Sequence, residues 1–118
     1  MTLIFNSCAL TRFYNSGGYA KNELVDLSST PFAAVPVGLL NWLQTQISEG
    51  ESVAQIVLED GGKVETESGL AHQVINAGVS IVAPNGNGER SISISSEALP
   101  PELRNGLLAT WEFITSLP

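Results

Sequence analysis

Cysteine, histidine and positive charge are all scarce in this chain. Cys8 is the sole cysteine among 118 residues, which excludes an internal disulfide and with it the cysteine-rich secreted class. His72 is the sole histidine, so Cys8 and His72 together fall short of the three or four ligands a zinc site needs. The five bases, Arg12, Lys21, Lys63, Arg90 and Arg104, are scattered and stand against 12 acids, for a net formal charge of −7. Nucleic-acid backbones and anionic membrane surfaces require clustered cations, so neither is expected as a partner. No apolar run approaches the ~20 residues of a membrane-spanning helix. The first ten residues have neither a basic start nor a long apolar stretch, which argues against a secretory leader and sets the expectation of a cytoplasmic protein. Charged residues make up 14% of the chain, so much of the surface must be Ser, Thr, Asn, Gln and Gly. Such a surface suits docking to another protein, because few charges must be desolvated.

What the chain does have is regular alternation. Its length predicts one domain, residues 1–118. Ser91-Ile92-Ser93-Ile94-Ser95 alternates polar and apolar strictly, the mark of a strand with one wet face. After the rigid corner Leu99-Pro100-Pro101, the apolar residues Leu103, Leu107, Trp111 and Ile114 recur at helical spacing. Trp111 and Phe113 project roughly 200° apart on such a helix, so Phe113 is left to its margin. An earlier helix over about 36–48 carries the stripe Leu39, Leu40, Leu43 and Ile47, with Trp42 at the edge, Pro36 in the first turn and Gly50 as the stop.

Residues 2–14 read as one long strand with Leu3, Phe5, Leu10 and Phe13 as core candidates, and Cys8 as a small buried residue within it. Asn15-Ser16-Gly17-Gly18 forms a turn, because paired glycines supply positive backbone angles. Residues 19–27 return, with Val25 and Leu27 on one face. Val53, Ile56, Val57 and Leu58 favour a strand that turns at Asp60-Gly61-Gly62 and returns over residues 64–68. Residues 71–83 favour strand over helix through their branched side chains, and Pro84-Asn85-Gly86-Asn87-Gly88 loops them back to the strand of residues 90–95. The pattern predicts an α+β fold: an antiparallel sheet of about four to six strands, with two helices (about 36–48 and 100–116) packed on one face.

Chemistry is sparse. His72 lies in a predicted strand with no nucleophile or orienting carboxylate near it in sequence, so no triad is indicated. Six of the 12 acids fall between Glu49 and Glu67. They read as a solvated hairpin whose charges block edge-to-edge pairing, and their spacing matches no calcium loop. Gly61-Gly62-Lys63 lacks the glycine spacing and the hydroxyl of a phosphate loop. Gly86-Asn87-Gly88 opens a strand and presents no helix N-terminus to an anion. The aromatics are not interleaved with cations, as base stacking would need. No catalytic residue, metal ligand or cofactor is expected, and the chain reads as a non-enzyme.

Two segments match a known pattern. Residues 13–31 read FYNSGGYAKNELVDLSSTP and residues 91–111 read SISISSEALPPELRNGLLATW. Together they resemble the emfourins, small bacterial protein inhibitors of protealysin-like metalloproteases of the thermolysin type. The likeness covers both ends of the chain: a Ser-Gly-Gly-aromatic turn between two strands, then a closing hairpin, a Pro-Pro corner, Leu103-Arg104 and a terminal helix. Family members tend to place an Asp-Gly-Gly turn in the last hairpin. Here Asp60-Gly61-Gly62 lies far earlier, and residues 51–78 depart from the family. The resemblance implies an inhibitor that blocks the cleft of a zinc metalloprotease and carries no metal of its own. The alternative is a non-enzymatic protein-binding module, such as an immunity or assembly protein, on the same scaffold. The partner-binding residues expected from the loops are Ser16, Gly17, Gly18, Tyr19, Asn85, Gly86 and Asn87, with Tyr19 as an anchor.

Overall fold

Alternating apolar side chains define the strands, and antiparallel pairing joins them into one sheet. The computed structural model describes residues 1–6 and 9–117. The strands are β1 (Thr2–Asn6), β2 (Ala9–Ser16), β3 (Tyr19–Val25), β4 (Ser52–Glu65), β5 (Ala71–Val82) and β6 (Glu89–Ser95). Helix α1 (Val35–Gln44) joins β3 to β4, and α2 (Pro101–Thr115) follows β6. The lateral order is β3-β2-β1-β4-β5-β6. Two three-stranded meanders therefore meet where β1 pairs with β4, and α1 is the crossover between them. This is the expected α+β class, with six strands.

One face of the sheet is covered. Leu3, Phe5, Leu10, Ile56, Leu58, Ile75, Ala77, Val79 and Ile81 point from the strands into a core completed by Leu39 and Leu43 of α1 and Leu107, Trp111 and Ile114 of α2. Ile92 and Ile94 of β6 pack against the same core, while Ser91 and Ser93 face water, as the alternation requires. The opposite face carries the row Leu24, Thr11, Ile4, Val57, set side by side by the strand register. Phe13 belongs to this open face and is 37% exposed, which corrects its expected place in the core. Residue parity decides the matter: Leu10 and Arg12 face the helices, so Phe13 cannot.

Three further expectations are revised. Residues 2–14 are two strands, because Asn6 pairs with Ala9 and Thr2 with Phe13. The reversal between them, and with it the expected burial of Cys8, falls outside the described residues. Helix α1 ends at Gln44, well short of Gly50. The Thr45 hydroxyl and backbone N–H both donate to the Trp42 carbonyl, at 2.6 and 3.0 Å, and turn the chain out of the helix. Gly50 (φ +85°) serves the turn into β4, where a Cβ would lie 3.0 Å from Pro84. Finally, Asp60-Gly61-Gly62 is a bulge inside β4 and not a hairpin turn. Asp60 pairs with Ile75 and Lys63 with Gln73, so one extra residue sits on β4. Gly62 is at φ +82°, and a Cβ on Gly61 would meet the Val74 carbonyl at 3.0 Å, so this kink needs its glycines. The turn itself is Thr66-Glu67-Ser68-Gly69, closed by Gly69 N–H to the Thr66 carbonyl at 2.9 Å.

The helices meet at glycines. A Cβ on Gly106 would lie 3.3 Å from Val35 Cγ2, and one on Gly38 would lie 3.7 Å from Leu103 Cδ1. Phe113 packs at the margin on Phe32, with ring centroids 5.2 Å apart.

Arg12 fastens the two halves together. Its side chain is 4% exposed. Nη1 donates to the Ile114 carbonyl at 3.1 Å and to the Leu117 carbonyl at 3.3 Å. A guanidinium from β2 thus caps the C-terminus of α2, where orphan carbonyls and the negative end of the helix dipole favour a cation. Nη2 reaches Glu23 Oε2 at 3.3 Å, and the guanidinium carbon lies 4.1 Å from the Tyr14 ring centroid. The Tyr14 hydroxyl donates to the same Glu23 oxygen at 3.2 Å.

Three substitutions test this account in urea denaturation. Arg12→Met is expected to lower stability by about 2–4 kcal/mol, since it strands carbonyls bonded to a buried charge. Arg12→Lys should recover only part, because an ammonium lacks the fork. Gly106→Val should lower stability by about 1–3 kcal/mol by forcing the helices apart.

Candidate functional site

The loops expected to bind a partner occupy different ends of the sheet. Thr2 pairs with both Phe13 and Glu59. Beyond the start of β1, β2 and β3 run on to the Gly17-Gly18 turn, and β4 and β5 run on to the turn at residues 66–69. Two hairpins therefore project from the same end. The loop containing Asn85, Gly86 and Asn87 lies at the other end, beyond the Ser52–Val82 and Val82–Glu89 pairs. The two expected loops therefore do not form one continuous patch.

At the first end, Ser16 pairs with Tyr19 across a two-residue turn. Gly17 (φ +59°) and Gly18 (φ +84°) both have positive φ, the type I′ pattern whose twist matches its strands. Nothing approaches within 4 Å of a Cβ built on either glycine, so the tip is bare. Tyr19 is 74% exposed. The stem is stiff nonetheless, because Arg12, Tyr14 and Glu23 bond across it. Beside the stem, Met1, Thr2, Phe13, Tyr14, Asn15, Ala20 and Lys21 line a shallow depression of about 260 Å³.

The neighbouring hairpin of β4 and β5 reads from its sequence as a solvated hairpin in preference to a patch for a cation or a basic partner. Its tip exposes Leu70 (72%) and Val64 (41%) among Glu59, Asp60, Glu65 and Glu67. The available signal was Ser68-Gly69, a turn pair placed after seven residues too polar to belong to a core strand. Asp60 braces the kink below the tip: its Oδ1 accepts from Gly62 N–H at 2.7 Å and also from the Gln73 side-chain amide. These bonds, the backbone one foremost, hold its pKa below the ordinary carboxylate value.

At the other end Asn85 is left-handed (φ 64°) and Gly86 follows at φ 70°, a conformation Asn tolerates better than most residues. Ala83 N–H donates to the Gly88 carbonyl at 2.9 Å and closes the loop. Next to it, Arg90 Nε and Nη2 bond both carboxylate oxygens of Glu51, at 2.9 and 3.0 Å. That fork, with the Ser48 N–H at 2.8 Å, pulls the Glu51 pKa from its ordinary 4.5 to about 2.

His72 has a carboxylate partner that sequence distance concealed. Its Nε2 lies 2.7 Å from Glu97 Oε1, and the two side chains are 34% and 42% exposed. Ser95 Oγ accepts from Glu97 N–H at 3.2 Å, and Ser96 Oγ accepts from Ile75 N–H at 3.0 Å. The serines thus stabilise the corner that leads into α2, and the histidine ties β5 to it. Among the described residues no three His, Cys, Asp or Glu side chains are grouped to hold a metal. No helix among them is long and apolar enough to cross a membrane. No family model, curated protein or solved structure matches the chain.

The Glu51–Arg90 pair carries a pH signature. With its folded pKa depressed, Glu51 contributes stability that is complete above about pH 4.5 and is lost as the pH falls toward 2. In denaturant titrations Glu51→Gln should be less stable than the native chain at neutral pH. The difference should vanish near pH 2, and added salt should shrink it at neutral pH.

Proposed function

We propose that this chain acts by binding another protein through its two-hairpin end, as an emfourin-like inhibitor that blocks the cleft of a thermolysin-type zinc metalloprotease. The observation that supports this reading is Tyr19: a large aromatic, 74% exposed, at the tip of a hairpin whose stem is locked by a buried arginine. Exposed aromatics on ordered supports are the usual anchors of protein interfaces, and prior ordering lowers the entropic cost of docking. A protease binds its substrate as an extended strand. Gly17 and Gly18, both at positive φ, hold the tip away from that conformation, so it can fill a cleft without presenting a cleavable segment. The neighbouring acidic hairpin, with Leu70 and Val64 exposed at its tip, favours a partner surface that mixes basic and apolar groups. That observation also suits the second reading, an immunity or assembly module docking through the same end.

The experiment is a titration of a purified thermolysin-type protease, followed with a fluorogenic peptide. The rate should fall in proportion to added protein and stop near one equivalent, with the added chain recovered uncut. Tyr19→Ala should weaken inhibition about 30-fold, the loss expected for an anchor worth ~2 kcal/mol. Asn87→Ala, at the far end, should leave inhibition unchanged. A rate untouched at stoichiometric dose across several such proteases overturns the protease reading, and the converse mutant pattern moves the contact to the other end.

A further inference from the structure

Strand β3 forms one edge of the sheet. Residues 19–24 are all exposed, and the strand contains no proline to block pairing. Its backbone polarity follows from the turn. In a two-residue hairpin the flanking pair, Ser16 and Tyr19, exchanges hydrogen bonds, and bonded and non-bonded pairs alternate from there. Tyr19, Lys21, Glu23 and Val25 thus direct their backbone groups toward β2. Ala20, Asn22 and Leu24 direct theirs outward.

We propose that this edge pairs antiparallel with β3 of a second copy of the chain, about a two-fold axis at Asn22, fusing two sheets into one. In that register Asn22 faces Asn22 and Ala20 faces Leu24 of the second copy, so every outward group of the three residues meets a complementary one. Lys21 then lies opposite Glu23 of the second copy, twice, in the non-bonded positions where side chains approach most closely. The adjacent registers, centred on Lys21 or on Glu23, set lysine against lysine or glutamate against glutamate, and directly opposed like charges are destabilising. Charge therefore selects the Asn22-centred register. The same pairing shelters exposed apolar surface. Leu24, 68% exposed, comes to lie beside Ala20, and Tyr19 comes opposite Val25. Because Tyr19 is covered in this arrangement, self-association and docking of a different protein at the hairpin exclude one another. The inference concerns the protein alone and stands whether or not a protease is its target.

Sedimentation equilibrium of the purified chain tests it, and needs no protease. A monomer–dimer equilibrium is expected, weakened by salt. Lys21→Glu should weaken it about tenfold by turning two attractive pairs repulsive. Asn22→Pro removes an outward N–H that the fold does not use, and should give a monomer with an unchanged circular dichroism spectrum. Asn22→Cys with Cys8→Ser should cross-link on mild oxidation, because residues in a bonded pair sit about 5.5 Å apart at Cα, within disulfide reach. A chain that stays monomeric up to millimolar concentration overturns the proposal and makes Lys21 a guard of the edge. A dimer indifferent to Lys21→Glu and Asn22→Pro overturns it too, and assigns the contact to another surface such as β6.

Discussion

A buried guanidinium organises this molecule. Arg12 lies 102 positions from the carbonyl it caps at Ile114, and that contact joins the first meander of the sheet to the last helix. A cation in a core is expensive to desolvate. Here the helix terminus, the Glu23 carboxylate and the Tyr14 ring together replace water around it. The arrangement has two outcomes. Helix α2, which starts beside β6 and ends over β2, is pinned across the sheet. The β2–β3 hairpin, which projects past the start of β1, is held from beneath by the same side chain.

Local patterning made most of the elements legible. Alternation at residues 91–95 and helical spacing from Leu103 to Ile114 need no tertiary information, and both elements are where these patterns place them. Misreadings arose where one residue type serves two geometries. Gly61-Gly62 is as suitable for a bulge as for a turn, and only the length of β5 opposite decides. Gly50 suits a helix stop, yet the Thr45 hydroxyl ends α1 first. Arg12 read as one scattered base among five. Its parity with Leu10 and Tyr14 was the available sign that it points inward, but the carbonyls awaiting it belong to the far end of the chain.

The candidate site was legible in part for the same reason. Gly17-Gly18 announces a type I′ turn from sequence alone, and Tyr19 beside it is exposed as expected. That residues 85–87 lie at the opposite end of the sheet follows from strand order, which is non-local. The His72–Glu97 contact and the apolar tip of the acidic hairpin were hidden likewise: each depends on which segments the register brings together. The site reading thus rests on shape and presentation, with rigid hairpins offered at one end of a supporting sheet.

The acidic hairpin stands clear of the core and is tied to the body of the molecule at its base by the His72–Glu97 contact. Residues 63–72 contribute no side chain to the core, and the kink at Gly61-Gly62 sets where core-bearing strand gives way to free ladder. A ladder of this kind can grow or shrink by whole cross-strand rungs without disturbing a packed side chain. Natural variation can therefore change the length and the exposed side chains of this finger while the body beneath stays constant.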